Sequence, residues 1–138
     1  MSNPSCMRPG CPFNPSAGAR AGRCTGVEGV LSAAEIFELI DNGAQTTLDV
    51  EGAVMIATWD SNQWVSYDNA QTLGMKINYA NKRCLGGLMV WAIDLDDGRL
   101  VDALGESLGR AKRPELPQGV GPSNCFGPSK CLMCESDL

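Results

Sequence analysis

Apolar positions fall into four patterned stretches along the chain. Ile36, Leu39 and Ile40 share one helical face, and Ser32 with Glu35 has the spacing of a capping box, each side chain serving the other's backbone amide. Leu31 and Ile36 occupy the two staple positions, and Asn42-Gly43 supplies a stop, so a helix is predicted from Ser32 to about Asp41. Thr47 to Asp49 reads as a short strand. Ala53 to Trp59 is a nearly unbroken apolar run, the pattern of a buried strand. Asp60-Ser61-Asn62 is turn chemistry, and Gln63 to Tyr67 alternates, so the two strands are expected to form a hairpin. Asp68 is positioned to cap a second helix running to about Arg83, with Leu73, Ile77, Ala80 and Cys84 as its buried stripe. Gly86-Gly87 breaks it.

Leu88-Met89-Val90-Trp91-Ala92-Ile93 has no polar interruption. Such a run fits a parallel strand covered on both faces. Leu100, Val101, Leu104 and Leu108 predict a third amphipathic helix. Helix, Gly-Gly, apolar strand is the αβ half of a βαβ unit, and no second clear βα repeat accompanies it. The chain therefore reads as α/β and as part of a larger sheet. Both ends, residues 1–30 and those from Lys112 onward, are rich in Gly, Pro and Ser.

Composition narrows the chemistry. The 138 residues carry a net charge of −5, with pI near 4.6. That excess of acid disfavours nucleic acid, which needs a basic face. No run approaches 18 apolar residues, so no membrane span is expected. The absence of histidine removes Ser-His-Asp and Cys-His nucleophilic sites and imidazole metal centres. Seven cysteines favour an oxidising compartment, yet residues 1–23 have no secretory-signal pattern. One expectation accommodates both: a C-terminal piece of a longer secreted protein, with Cys6, Cys11 and Cys24 holding an irregular loop by disulfides. A small cytosolic protein with free thiols is the alternative. No metal and no cofactor is expected. Cys125, Cys131 and Cys134 include a Cys-x2-Cys pair but no fourth zinc ligand, and a disulfide-rich tail is the better reading. Asp94, Asp96, Asp97 and Gly98 miss the calcium-loop register, with Gly at position 5 and Gly105 at position 12. Asp97 reads as a cap for the third helix. Trp59, Trp64 and Trp91 are either core residues or, at the carboxyl end of a barrel strand, platforms for a sugar's apolar face.

Trp59-Asp60-Ser61-Asn62-Gln63-Trp64-Val65-Ser66-Tyr67-Asp68, a helix-length spacer, and then Cys84-Leu85-Gly86-Gly87-Leu88-Met89-Val90-Trp91-Ala92-Ile93-Asp94-Leu95-Asp96-Asp97 resemble the C-terminal part of fungal glycoside hydrolase family 18 chitinases. The likeness extends upstream through Cys24 to Ile36 and covers roughly Gly10 to Arg110. It implies part of a (β/α)8 barrel with part of an α+β insertion domain, acting on β-1,4-linked N-acetylglucosamine polymers. The implied divisions are residues 1–67, the partial insertion domain; 68–110, the C-terminal barrel segment; and 111–138, a Pro/Gly/Cys-rich tail.

By that resemblance Leu88 to Ile93 is barrel strand 8 and Asn69 to Arg83 the helix before it. Trp91 matches the tryptophan floor under the sugar at the cleavage point, Met89 a neighbouring cleft position, and Val30, more loosely, the insertion-domain wall. The implied ligand is chitin or a chito-oligosaccharide. The family's acid motif D-x-x-D-x-D-x-E has no counterpart: Asp94 and Asp97 have the first spacing, but position 99 is Arg99. No catalytic residue is assigned. A parent enzyme is expected to be secreted. One strand cannot close a barrel, so the free chain is expected to self-associate or be partly molten. Broad thermal unfolding with binding of a hydrophobic dye is the expected result, and a sharp two-state transition from a dye-silent compact monomer would contradict it.

Overall fold

A computed structural model describes residues 10–12 and 18–109. The elements are α1 (Ala33–Asp41), β1 (Gln45–Asp49), β2 (Val54–Trp59), β3 (Gln63–Tyr67), α2 (Ala70–Lys82), a 3-10 turn at Ile93–Leu95 and α3 (Arg99–Ser107). The three strands form one antiparallel sheet in the order β1-β2-β3. Register is set by the central strand, where Ile56 faces Thr47 on one side and Ser66 on the other. The expected hairpin is β2-β3. Its loop holds Asp60 and Ser61 at φ of 49° and 61°, a region where short polar side chains tolerate the left-handed backbone better than most.

α1 begins where the capping box places it. Ser32 Oγ accepts from the Glu35 amide at 3.4 Å, and the Glu35 carboxylate accepts from the Ser32 amide at 2.8 Å. Asn42 caps the other end and Gly43 follows at φ 98°, the conformation that favours glycine after a helix. Ile36, Ile56 and Ala57 are buried, as are Ile77 and Ala80 of α2. Phe37 meets Tyr67 edge-to-face at 6.0 Å, and the Arg99 guanidinium lies 4.2 Å from the Phe37 ring centroid. That stack ties α3 to α1 and to the end of β3.

Glu35 does more than cap. Its carboxylate also accepts from the backbone amides of Cys24 at 2.6 Å and Thr25 at 3.1 Å, so one buried side chain holds the N-terminal loop to α1. A Cβ at Gly22 would lie 2.2 Å from Glu35 Oε1, so glycine is required there for the loop to close over the carboxylate. Gln63 of β3, also buried, holds the same loop: it accepts from the Arg20 amide at 3.2 Å and donates to the Gly18 carbonyl. Cys11 and Cys24 are disulfide-bonded, whereas Cys84 is a free, exposed thiol.

Three sequence expectations change. The cap of α2 is Asn69, not Asp68: Asn69 Oδ1 accepts from the Thr72 amide at 3.0 Å and Thr72 Oγ1 accepts from the Asn69 amide at 2.9 Å. Cys84 lies beyond α2 at φ 53°, exposed, and does not extend the buried stripe. Above all, Leu88 to Ile93 is neither a strand nor buried. A parallel strand exists only through its neighbours' hydrogen bonds, and the sheet among the described residues pairs only β1, β2 and β3. Residues 1–9, 13–17 and 110–138, including Cys6 and the Cys125–Cys131–Cys134 tail, lie outside the described residues.

Burial pushes the Glu35 carboxyl up, but the hydrogen bonds from Ser32, Cys24 and Thr25 outweigh it and leave its pKa below the ordinary 4.5. A depressed carboxyl pKa stabilises the fold above the unfolded-state value, and that stability is lost as pH falls through the folded-state value. Glu35→Gln should therefore lower urea stability near neutral pH by about 1–3 kcal/mol and flatten its decline below about pH 4.5. Urea titrations at pH 7 and pH 3 check this, and an unchanged acid slope would contradict it.

Candidate functional site

α2, α3, the N-terminal end of α1 and the end of β3 surround an open groove of about 380 Å³. Its walls are largely apolar: Leu31 and Ile36 from the α1 side, Leu73 and Ile77 from α2, Leu100 and Leu104 from α3. Leu88 to Ala92 runs along it. The amphipathic spacing of α2 and α3 produces this wall, since each turns its apolar stripe toward the other.

The segment belongs to no helix or strand. Relative exposure alternates along it: Leu88 42%, Met89 79%, Val90 39%, Trp91 89%. Ile93 continues the exposed set. Met89 and Trp91 are the more exposed pair, Leu88 and Val90 the less exposed, and all four line the groove. Both predicted cleft residues are thus accessible at the groove. The Trp91–Ala92 peptide bond is cis. Val30 is exposed, its amide donating to the Val27 carbonyl at 3.3 Å and its carbonyl accepting from Thr25 Oγ1 at 2.9 Å; it does not line the groove with Trp91.

A polar network at the groove was not singled out from the sequence. Asp68, displaced from capping, accepts from Lys76 Nζ at 2.6 and 2.7 Å and from Thr72 Oγ1 at 2.8 Å. The signal was the i, i+4, i+8 spacing of Asp68, Thr72 and Lys76, which puts all three on one side of α2. Thr72 is fully buried. Tyr67 lines the same groove, and burial raises its pKa, which keeps the phenol neutral at ordinary pH.

Neither Glu35 nor Asp94 is placed to donate a proton into the groove. Glu35 is spent on four donors of its own loop. Asp94 lies exposed in the 3-10 turn. Asp96 and Asp97 serve α3: Asp96 accepts from the Leu100 and Val101 amides at 3.2 and 3.1 Å, and Asp97 from the Arg99 amide at 3.2 Å. The expected cap by Asp97 is thus shared with Asp96. Among the described residues no group of three or more His, Cys, Asp or Glu could hold a metal ion.

Thr72→Val keeps the shape but strands the Asn69 amide and removes a donor from Asp68, a change expected to cost about 1–3 kcal/mol. Lys76→Met breaks a partly exposed ion pair and should cost under about 1 kcal/mol. Denaturant midpoints of the two variants check this order, and a reversed order would make the ion pair the anchor of α2.

Residues 10–96 match the family described as glycosyl hydrolases family 18. A probable chitinase LysM11 from Penicillium expansum is 31% identical over 140 residues, covering 90% of this chain and 12% of its own length. A chitinase from Trichuris suis, solved as an immunomodulatory active chitinase, superposes with TM-score 0.61 at 30% identity, over 70% of this chain and 26% of that one. Human YKL-39, described as a pseudo-chitinase with retained chitooligosaccharide binding, gives 0.60 at 35% identity, over 67% and 27%. The chain spans about a quarter of these solved structures and less of the curated relatives. Their barrel architecture makes the described α/β unit a partial TIM-barrel fold, and the chain belongs to glycosyl hydrolase family 18.

Proposed function

We propose that this chain is a C-terminal portion of a fungal chitinase-type protein that supplies sugar-binding surface to a chitin cleft and no proton donor. The observation that carries this is Trp91: a large aromatic, 89% exposed, at the edge of an apolar groove. An indole face so presented suits the apolar C–H face of an N-acetylglucosamine ring. Met89 lines the same groove and widens the contact. The chitooligosaccharide binding printed for the human relative supports the same ligand class here. On this reading residues 1–67 are insertion domain, 68–110 barrel segment and 111–138 an extension, and the parent is secreted.

Retaining hydrolysis in this family is substrate-assisted: the acetamide attacks the anomeric carbon while a carboxylic acid protonates the leaving oxygen. With Glu35 occupied and no D-x-x-D-x-D-x-E motif in the sequence, this chain can hold and stack the sugar but cannot deliver the proton. A second reading, a non-catalytic chito-oligosaccharide binder or small secreted interaction protein, uses the same Trp91 surface. An inactive truncated product would bind nothing.

General acid catalysis is worth about 10²–10⁴-fold, and positioning is lost with it, so the purified chain should release no soluble sugar from chitin. Calorimetry with chitotetraose should detect binding, and Trp91→Ala should weaken it by about 30-fold, the scale of an aromatic hot spot. Surface change Glu106→Gln should leave it unaltered. Hydrolysis at a full chitinase's rate would overturn the non-catalytic assignment. Unchanged affinity in Trp91→Ala would remove Trp91 from the site.

A further inference from the structure

The turn between α1 and β1 carries the chain's single Asn-Gly pair, Asn42-Gly43. In such a pair the backbone can attack the preceding side-chain amide, because the second residue has no Cβ to block the approach. Both residues are exposed. Among the described residues the Asn42 side chain has no hydrogen-bond partner. Gly43 stands at φ 98°, and a Cβ there would meet nothing within 4 Å. The other described asparagines differ. Asn62 accepts from Gln63 Nε2 at 3.1 Å, Asn69 caps α2, and Asn78 and Asn81 precede Tyr79 and Lys82 inside α2.

The folded turn restrains the pair. The Gly43 amide donates to the Ile40 carbonyl and the Ala44 amide to the Leu39 carbonyl, each at 2.9 Å. Gln45 Nε2 donates to the Gly43 carbonyl at 3.2 Å. These bonds close a helix end, where local opening costs least. No basic residue in the last turn of α1 offsets the helix dipole.

We propose that Asn42 is a deamidation site whose rate is set by opening of the last turn of α1. In the open turn the Gly43 nitrogen gives its proton to hydroxide and bonds to Asn42 Cγ. The Cγ–Nδ2 bond breaks, and the side-chain nitrogen leaves as ammonia, taking a proton from water. Water then opens the cyclic imide at either carbonyl, giving aspartate or isoaspartate. Either product sets a carboxylate beside Asp41 at the negative end of α1. Isoaspartate also adds a methylene to the backbone between α1 and β1. This chemistry is independent of the sugar-binding surface.

The full chain, kept folded in mildly alkaline buffer, should gain one dalton over time. Peptide mapping should place the gain at residue 42, with isoaspartate among the products. Asn42→Gln should abolish it. Unfolding urea should speed the reaction at least about 10-fold. Gln45→Ala, with circular dichroism unchanged, should speed it about threefold in the folded chain. Gain appearing first at another asparagine overturns the site. A folded chain that reacts only when globally unfolded, one that reacts as fast as the unfolded chain, or a rate indifferent to Gln45→Ala overturns the control by the turn.

Discussion

An extended backbone segment is stable only when its amides and carbonyls find partners. Gly86 to Trp91 finds none among the described residues. The rest of the arrangement depends on that constraint. α2 and α3 line the groove with their apolar stripes, and the segment runs along it. Met89 and Trp91 stand exposed there. The surface suited to a sugar belongs to a segment whose backbone has no hydrogen-bond partner among the described residues.

Its support is densely bonded by comparison. Glu35 fixes the N-terminal loop to α1, and Arg99, Phe37 and Tyr67 join α3, α1 and β3 in one stack. Asp68 and Thr72 fix the start of α2, which passes the groove from one end to the other. These links are short-range hydrogen bonds and ring contacts that the segment itself does not supply. The helices hold the groove's shape through contacts in which the segment takes no part.

Local chemistry was legible in the sequence and long-range pairing was not. The Ser32–Glu35 capping box, the Asn42-Gly43 stop and the Gln63–Tyr67 alternation each act within a few residues, and each appears where expected. The misread positions were those decided by competition or by distant atoms. Asp68 and Asn69 are both good caps, and Lys76, eight residues beyond Asp68, draws the Asp68 carboxylate away. Leu88 to Ile93 has the composition of a buried strand, but composition cannot provide neighbours. Glu35's bonds to Cys24 and Thr25 span a loop of irregular backbone with no periodicity to read.

The central claim is that Trp91, and not the other two indoles, is the sugar platform. Trp59 and Trp64 lie in β2 and β3 and are partly buried, whereas Trp91 stands clear of the fold. The chain's three tryptophans give separate indole N–H resonances, so titration with chitotetraose in a ¹⁵N correlation spectrum tests the claim directly. The account predicts progressive, saturable movement of the Trp91 indole resonance together with the Met89 amide, while the Trp59 and Trp64 indoles stay in place. Saturable movement of Trp59 or Trp64 with Trp91 unmoved would contradict it.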